Sequence, residues 1–130
     1  VYEEKPLRGI RLLQAALASL KVSPCGRVAW MTLDWGTMQA LGATDADADG
    51  LVDYARIIRG VEVAILFRET APGKTRVGFR SKRYVDVNRL AARFGGGGHP
   101  RAAGCLLDGQ PGEIAARIVS AAMAAAGEQA

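Results

Sequence analysis

The sequence predicts an α/β fold, a single domain in which a mixed β-sheet of about four to five strands is flanked by helices. Segments with apolar residues at helical spacing alternate along the chain with segments rich in β-branched and aromatic residues. Glycine, proline and aspartate stand at the boundaries between these segments. A chain of 130 residues, 49% of them hydrophobic, also has the size and apolar content of one folded domain.

The first half of the chain is predicted to contain three helices and one strand. The predicted elements are helix 6–21, strand 27–33, helix 35–41 and helix 51–58. The apolar stripe of the first helix is formed by Leu7, Ile10, Leu13, Leu17 and Leu20. Asp34 is placed to cap the helix over 35–41, and Gly42 to end it. Residues 43–50 are a polar loop in which Asp49 is expected to cap the next helix.

The second half is predicted to contain a hairpin, a helix, a last strand and a last helix. The elements are strands 61–69 and 75–81, helix 86–94, strand 102–107 and helix 114–126. Turn-forming residues at 71–74 join the two hairpin strands. In the second of these strands, Val77 and Phe79 face one side of the sheet, and Arg76, Gly78 and Arg80 face the other.

Four consecutive glycines, Gly95, Gly96, Gly97 and Gly98, form the most informative segment of the chain. Glycine is favoured where the backbone needs a positive φ or where another group approaches it closely. A run of free N–H groups makes a concavity that suits a phosphate. A flexible linker is the alternative, although such linkers normally contain serine as well.

His99 and Arg101 follow this glycine run, where both can reach an anion. His99 is the only histidine of the chain. Its position at the end of four glycines predicts that His99 donates to a phosphate oxygen. A metal-ligand role is not expected, because no other histidine or cysteine lies at a suitable spacing. A purely structural hydrogen bond is the alternative role for a single histidine.

Positive charge is concentrated in the same region. Residues 74–101 contain eight basic residues and one acidic residue, a charge of +7, whereas the rest of the chain carries −3. Within this region, Arg80 can bind phosphate with its planar guanidinium group, Ser81 can donate a hydrogen bond, and Lys82 adds charge. Such a concentration suits an anionic ligand, although a solvated strand end would have the same composition.

Other features exclude several classes of protein. The acidic segment 45–53 resembles the first half of an EF-hand loop, but Arg56 stands where calcium needs a bidentate glutamate. Cys25 and Cys105 are too few for a disulfide scaffold, and we expect both to be reduced. The chain has no apolar run long enough to span a membrane and no signal-peptide pattern, which predicts a cytoplasmic location.

Four segments together resemble the C-terminal, DHH-associated substrate-binding domain of DHH-family phosphoesterases. They are residues 59–69, 77–82, 85–88 and 94–105, and the resemblance extends over residues 28–126. The Gly-Gly-Gly-His…Ala-Ala-Gly element within them is specific to this domain. The most similar branch comprises the bifunctional oligoribonucleases and 3′-phosphoadenosine-5′-phosphate phosphatases, together with enzymes that cut linear or cyclic dinucleotides.

The resemblance implies a division of the chain and a set of site residues. Residues 1–24 would be a linker helix from a missing N-terminal catalytic domain, and residues 25–130 the substrate-binding domain. Substrate contacts are implied for Arg80, Ser81, Gly96, Gly97, Gly98 and His99, and their neighbours Lys82 and Gly95 are further candidates. Arg101 lies at a variable position of such loops, so its assignment is weaker. The chain has no Asp-His-His sequence, so we assign it no catalytic residue, metal ligand or cofactor. Manganese is implied only for the full-length enzyme.

The function implied is phosphate binding to a nucleotide or short oligonucleotide within a manganese-dependent phosphoesterase that hydrolyses nano-RNA, dinucleotides or 3′-phosphoadenosine-5′-phosphate. The alternative is a stand-alone nucleic-acid-binding module similar to the C-terminal domain of alanyl-tRNA synthetase. A third alternative, a regulatory small-molecule domain, would not need the concentrated positive charge. The expected partners are nucleotides or short single-stranded oligonucleotides and the catalytic domain of the same protein. Homodimer formation is a further option, and no membrane partner is expected.

Overall fold

Six strands and six helices make up the computed structural model, which describes residues 4–128. The helices are α1 (Leu7–Ala18), α2 (Trp35–Leu41), α3 (Asp45–Ala48), α4 (Val52–Arg56), α5 (Val87–Ala92) and α6 (Pro111–Ala125). The strands are β1 (Lys21–Val22), β2 (Val28–Leu33), β3 (Val63–Ala71), β4 (Lys74–Ser81), β5 (Gly97–His99) and β6 (Ala102–Asp108). The strand order is β1-β2-β3-β4-β6-β5, with β2 and β3 parallel and all other pairs antiparallel. The predicted α/β class is confirmed, with six strands where four to five were expected.

Local sequence signals account for the ends of α2. The Asp34 carboxylate accepts a hydrogen bond from the Thr37 N–H at 2.8 Å, which satisfies a free donor of the first turn. Gly42 ends the helix in the left-handed conformation with φ of 62°. Both predicted boundaries of this helix are therefore confirmed.

The polar loop after α2 differs from its prediction. Residues 45–48 form the short helix α3, which Thr44 and Asp47 begin with a reciprocal capping box. Asp49 was expected to cap the following helix, but it lies at the end of α3 instead. The residue before α4 is Leu51, which has no side-chain cap. The prediction for Asp49 was therefore wrong, because α4 begins later, after Leu51, and has no side-chain cap.

The sheet separates two apolar clusters because alternate residues of each strand point to opposite faces. One face packs against α5 and α6 through residues such as Ile65, Phe67, Val77 and Phe79. The other face packs against α1, α2 and α4, with Met31 and Leu66 among its members. Nearly all of β3 is buried, because this central strand has helices over both of its faces.

Helix α1 leaves three residues of its predicted apolar stripe exposed, whereas Leu13 and Leu20 of the same stripe are partly buried. Leu7, Ile10 and Leu17 are exposed, Leu7 by 63%, whereas Gly9, Leu12 and Ala16 are buried. The small residues let the helix approach β2 and α3 closely. The interpretation of α1 as a linker helix from another domain stays a prediction.

Helices α5 and α6 cover one face of β4 and β6. On the opposite face, called the open face, α4 lies beside β4, and the residues of both strands are partly or fully exposed. On the covered face, Val77, Phe79, Ala103 and Cys105 lie in the cluster with α5 and α6. On the opposite face Leu106 is 54% exposed, and the other residues of β4 and β6 that point to this face are partly or fully exposed. The open face includes Arg76, Gly78 and Arg80 of β4 and Ala102, Gly104 and Leu106 of β6.

Two further sequence expectations concern the thiols and the helix lengths. Cys25 is exposed, Cys105 is buried, and both are free, as expected for reduced cysteines. Burial raises the pKa of the Cys105 thiol, so it stays protonated. None of the helices within residues 4–128 combines the length and the apolar content needed to cross a membrane.

Candidate functional site

The open face carries a cleft lined by arginines. Its volume is about 120 Å³, and it lies between β3 and β4 and the segment from Ala48 to Val52. Arg68, Arg76 and Arg80 surround the cleft, and Leu66 and Gly78 also line it. Because the three arginines occupy same-face positions of adjacent strands, their positive charges converge on one small volume.

Arg80 is the cation best placed to bind a ligand in this cleft. It is partly exposed, and its guanidinium group donates one hydrogen bond, to the Phe79 carbonyl oxygen at 2.9 Å. Arg68 differs, since its buried guanidinium group forms an ion pair with Asp45 at 2.6 Å that joins α3 to the sheet. A guanidinium group has five N–H donors, so Arg80 keeps donors for an anion that enters the cleft.

His99 lies in the same cross-strand row as Arg80. Arg80 is paired with Ala102 in β6, and Ala102 is paired with His99 in β5. Adjacent strands are about 4.8 Å apart, which places the two backbones about 10 Å from each other. The His99 side chain is exposed and forms no hydrogen bond within residues 4–128. An extended anion can therefore contact both side chains at once.

The glycine run is more ordered than the sequence indicated. Gly97 and Gly98 belong to strand β5, which was expected to be a loop. The N–H groups of Gly95 and Gly96 donate to the Ala92 and Ala91 carbonyl oxygens at the end of α5. The Gly98 N–H donates to the Asn88 side chain at 2.9 Å. The expected run of free N–H groups is therefore absent from this segment, because three of the four N–H groups have acceptors within the protein. Phosphate binding by these glycines stays a prediction.

Backbone conformation or close packing explains why three of the four positions are glycine. Gly95 has φ of 83°, a conformation that favours glycine where a helix ends. A side chain at Gly96 would meet the Gly104 carbonyl oxygen at 2.1 Å. Gly98 has φ of 153°, and a side chain there would meet the Ala102 carbonyl oxygen at 2.7 Å. Gly97 has a normal φ, and the nearest atom to a side chain there would be Asn88 Oδ1 at 3.2 Å.

Ser81 and Arg101 are occupied by contacts within the protein. The buried Ser81 hydroxyl donates to the Val85 carbonyl oxygen at 2.7 Å. The Arg101 guanidinium group donates to Ser81 Oγ at 3.2 Å and to the Arg83 carbonyl oxygen at 2.6 Å. The two side chains thus join the end of β4 to the turn between β5 and β6. Substrate contacts by either residue stay a prediction.

Lys82 lies just beyond the end of β4. Its ammonium group donates to the Ile58 carbonyl oxygen at 2.8 Å, shortly after α4 ends. It lines a groove with Glu62 and Tyr84 rather than the arginine cleft. The structure therefore separates Lys82 from Arg80, and its proposed role in substrate binding also stays a prediction.

Glu62 fixes the segment that joins β4 to α5. Its buried carboxylate accepts hydrogen bonds from the N–H groups of Arg83, Tyr84 and Val85 at 2.9 to 3.2 Å. Burial, the largest single influence, opposes ionisation of Glu62. The three N–H donors and the nearby Arg101 charge outweigh it, and together they hold the pKa of Glu62 below its ordinary value. An ionised Glu62 therefore orients the segment beside the site.

The acidic segment 45–53 uses its carboxylates for structural contacts. Asp47 pairs with Arg8 at 2.8 Å, and Asp45 pairs with Arg68. Within residues 4–128, no three side chains of histidine, cysteine, aspartate or glutamate come together where they could hold a metal ion.

Sequence reasoning assigned no site role to four residues that shape the site. Arg76 was placed on the same face as Arg80 but not in the site, and Arg68 was not considered; both line the cleft with Arg80. Asn88 and Glu62 hold backbone N–H groups of segments distant in sequence. Such contacts form only when the chain has folded, so no local signal indicates them.

The comparison with protein families gives one match that covers most of the chain. The model of the DHHA1 domain matches residues 28–126. This range begins at β2, after helix α1, and includes all residues of the open face and strand β5, which ends at His99.

Curated relatives match over a small part of their own length. The chain is 33% identical over 99 residues to the probable bifunctional oligoribonuclease and PAP phosphatase NrnA of Streptococcus mutans, which is 76% of this chain and 31% of that protein. It is 40% identical over 71 residues to the bifunctional oligoribonuclease and PAP phosphatase NrnA of Bacillus subtilis, which is 55% of this chain and 22% of that protein. The chain therefore spans less than a third of the length of these relatives.

Solved structures include similar folds. An exopolyphosphatase-related protein from Bacteroides fragilis superposes with a TM-score of 0.83 and 26% identity, covering 98% of this chain and 36% of the other. A pGpG-specific phosphodiesterase, PggH, from Vibrio cholerae superposes with a TM-score of 0.60 and 15% identity, covering 93% of this chain and 39% of the other. The second likeness supports the fold alone.

Proposed function

The chain belongs to the DHHA1 domain family, and from this we propose that it binds the phosphate groups of a nucleotide or short oligonucleotide as the substrate-binding part of a phosphoesterase. The relatives named as bifunctional oligoribonucleases and PAP phosphatases support this substrate class. In the proposed arrangement, the open face of β4 and β6 lies opposite a catalytic domain of a longer protein.

The observation that carries the proposal is the cross-strand row of Arg80, Ala102 and His99. It places a guanidinium group with free donors and an exposed imidazole on one row of the open sheet, about 10 Å apart along the backbone. Both side chains can donate hydrogen bonds to phosphate oxygens, and the small Ala102 between them leaves room for the ligand. The chain's proposed role is to bind and orient the phosphate.

We expect Arg80→Ala and His99→Ala each to weaken binding of a 5′-phosphorylated dinucleotide. Each removes a donor to a charged oxygen, a loss of about 1.5–3 kcal/mol in binding free energy. The melting temperature should hardly change, because neither side chain bonds to a distant part of the domain. Isothermal titration calorimetry gives the affinity, and thermal unfolding gives the stability of each variant.

The matched control is Arg11→Ala, which removes an exposed arginine from α1, away from the open face. It should leave both affinity and melting temperature unchanged. A His99→Ala protein that melts at a much lower temperature while its folded fraction binds normally would make His99 a structural residue and contradict the assignment.

Salt dependence separates this proposal from a general nucleic-acid-binding module. The cleft of about 120 Å³ holds few phosphates. We therefore expect dinucleotide affinity to fall as salt is raised, with a slope that corresponds to only one or two phosphate contacts. Titration of a dinucleotide and of a long duplex at two salt concentrations measures this. Tighter binding of the duplex with a steeper slope would favour the module similar to the C-terminal domain of alanyl-tRNA synthetase.

Manganese and the catalytic step are assigned to the longer protein in this proposal. The part of this chain in the reaction is to bind and orient the phosphate. A cytoplasmic location and pairing of two chains in a homodimer also stay predictions.

A further inference from the structure

Gly78 is a glycine that the fold does not require. It lies inside β4, a central strand between β3 and β6, and its φ is not positive. A side chain built at Gly78 would meet no atom within 4 Å. Glycine inside a strand costs about 0.5–1 kcal/mol relative to alanine. A glycine with no packing reason in such a place indicates close approach of another molecule.

The neighbouring glycines differ in this respect. A side chain at Gly104 would meet the Val77 carbonyl oxygen at 2.9 Å, and one at Gly96 would meet the Gly104 carbonyl oxygen at 2.1 Å. Packing between adjacent strands therefore explains both of these glycines. It does not explain Gly78, which is paired directly with Gly104 on the open face.

Three glycines on the open face, Gly78, Gly104 and Gly97, are paired across the sheet and leave a surface without side chains. We call this surface the glycine floor. Gly78 is paired with Gly104, and Gly104 with Gly97, so the floor crosses three adjacent strands. Along β4, Arg76 and Arg80 bound it about 13 Å apart. Leu66 lies beside Gly78 in β3, and the exposed Leu106 adds apolar surface on the same face.

The groups exposed on the glycine floor favour a planar, apolar part of a ligand. The backbone N–H and C=O groups of β4 are used in ladders with β3 on one side and β6 on the other. A phosphate or a sugar hydroxyl would therefore find few free partners above Gly78. A ring that lies flat needs no hydrogen bond from the surface below it, and its face gains contact with the exposed peptide groups and the leucines.

We propose that the glycine floor binds a nucleobase lying flat on the sheet, in the nucleotide whose phosphate contacts Arg80. This rests on the proposed function, because it assigns the base of the same ligand. Arg80 lies two residues from Gly78 on the same face, about 7 Å along the strand. Base and phosphate of one nucleotide can thus be bound together.

The test uses Gly78→Val and two probes, a 5′-phosphorylated diadenosine dinucleotide and its abasic analogue. Valine fills the floor and suits a strand, so the melting temperature should be unchanged or higher. Dinucleotide affinity should fall about tenfold or more, whereas affinity for the abasic analogue should stay the same. Gly78→Ala should give a smaller loss. Gly112→Ala, which adds a methyl group in open space on α6, is the matched control and should change neither affinity.

Each other outcome overturns a definite part of the proposal. Unchanged dinucleotide affinity in Gly78→Val would show that the floor binds nothing. An equal loss for both probes would show that the floor accommodates the sugar or phosphate and not the base. A wild-type protein that binds neither probe at millimolar concentration, followed by NMR, would refute the proposed function itself.

Discussion

Replacement of Glu62 by alanine is expected to lower the free energy of unfolding by about 3 kcal/mol. The substitution leaves the N–H groups of Arg83, Tyr84 and Val85 without their acceptor, and each such donor costs about 1–3 kcal/mol when it stays buried. The backbone between β4 and α5 would lose its anchor. Urea unfolding should show a lower midpoint with an unchanged slope.

Glu62→Gln is the graded comparison for this prediction. Glutamine keeps one acceptor oxygen of similar shape, so it should lose less stability than alanine. Glu4→Ala removes an exposed carboxylate near the start of the described residues and should have almost no effect. Equal stability of the wild-type protein and Glu62→Ala would contradict the role of this carboxylate.

The same carboxylate makes stability depend on pH in a definite direction. The pKa of Glu62 is lower in the folded protein than its ordinary value of 4.5, because three N–H groups and Arg101 overcome the effect of burial. The unfolded chain therefore binds the proton more readily, and the stabilisation is complete above about pH 4.5 and lost as the pH falls through the folded value. In Glu62→Gln, the free energy of unfolding should fall less as the pH is lowered through this range.

Gly96→Ala is expected to cause the second large effect, a loss of about 3 kcal/mol or more. The new methyl group would lie 2.1 Å from the Gly104 carbonyl oxygen and 2.6 Å from Cys105 Cβ, so the backbone of β5 or β6 must move. We expect the melting temperature to fall by roughly 10 °C. Thermal unfolding followed by circular dichroism measures this.

Gly97→Ala is the matched control, one residue further along. Its methyl group would meet only the Asn88 side chain, at 3.2 Å, and its φ is normal, so the loss should be much smaller. A Gly96→Ala protein with wild-type stability and weakened nucleotide binding would show that this glycine serves the ligand and not the packing of β5.

The sequence predicted those parts of the fold that depend on neighbouring residues. Asp34 and Gly42 bound α2 because a cap and a left-handed glycine act locally. The division of β4 into an apolar side and a side with Arg76, Gly78 and Arg80 follows from the two-residue period of a strand, and the structure has the same division.

Predictions failed where distant segments decide the structure. Four glycines indicated a loop, but β5 forms because β6 supplies its hydrogen-bonding partners. The periodicity of α1 identified an apolar stripe but not which residues would be buried most deeply. Leu12, Gly9 and Ala16 are buried, whereas Leu7 of the stripe is exposed. The partners of Ser81 and Arg101 are backbone carbonyl groups, which no residue pattern indicates.

The alternation along β4 has a consequence for how this domain can change during evolution. Odd-numbered positions 75–81 are buried and packed, whereas Arg76, Gly78 and Arg80 face the open side. Under the proposed function, substitutions at the even positions would alter ligand preference at little cost to folding, and those at the odd positions would do the reverse. Ligand preference and thermal tolerance can thus be selected independently within one strand of eight residues.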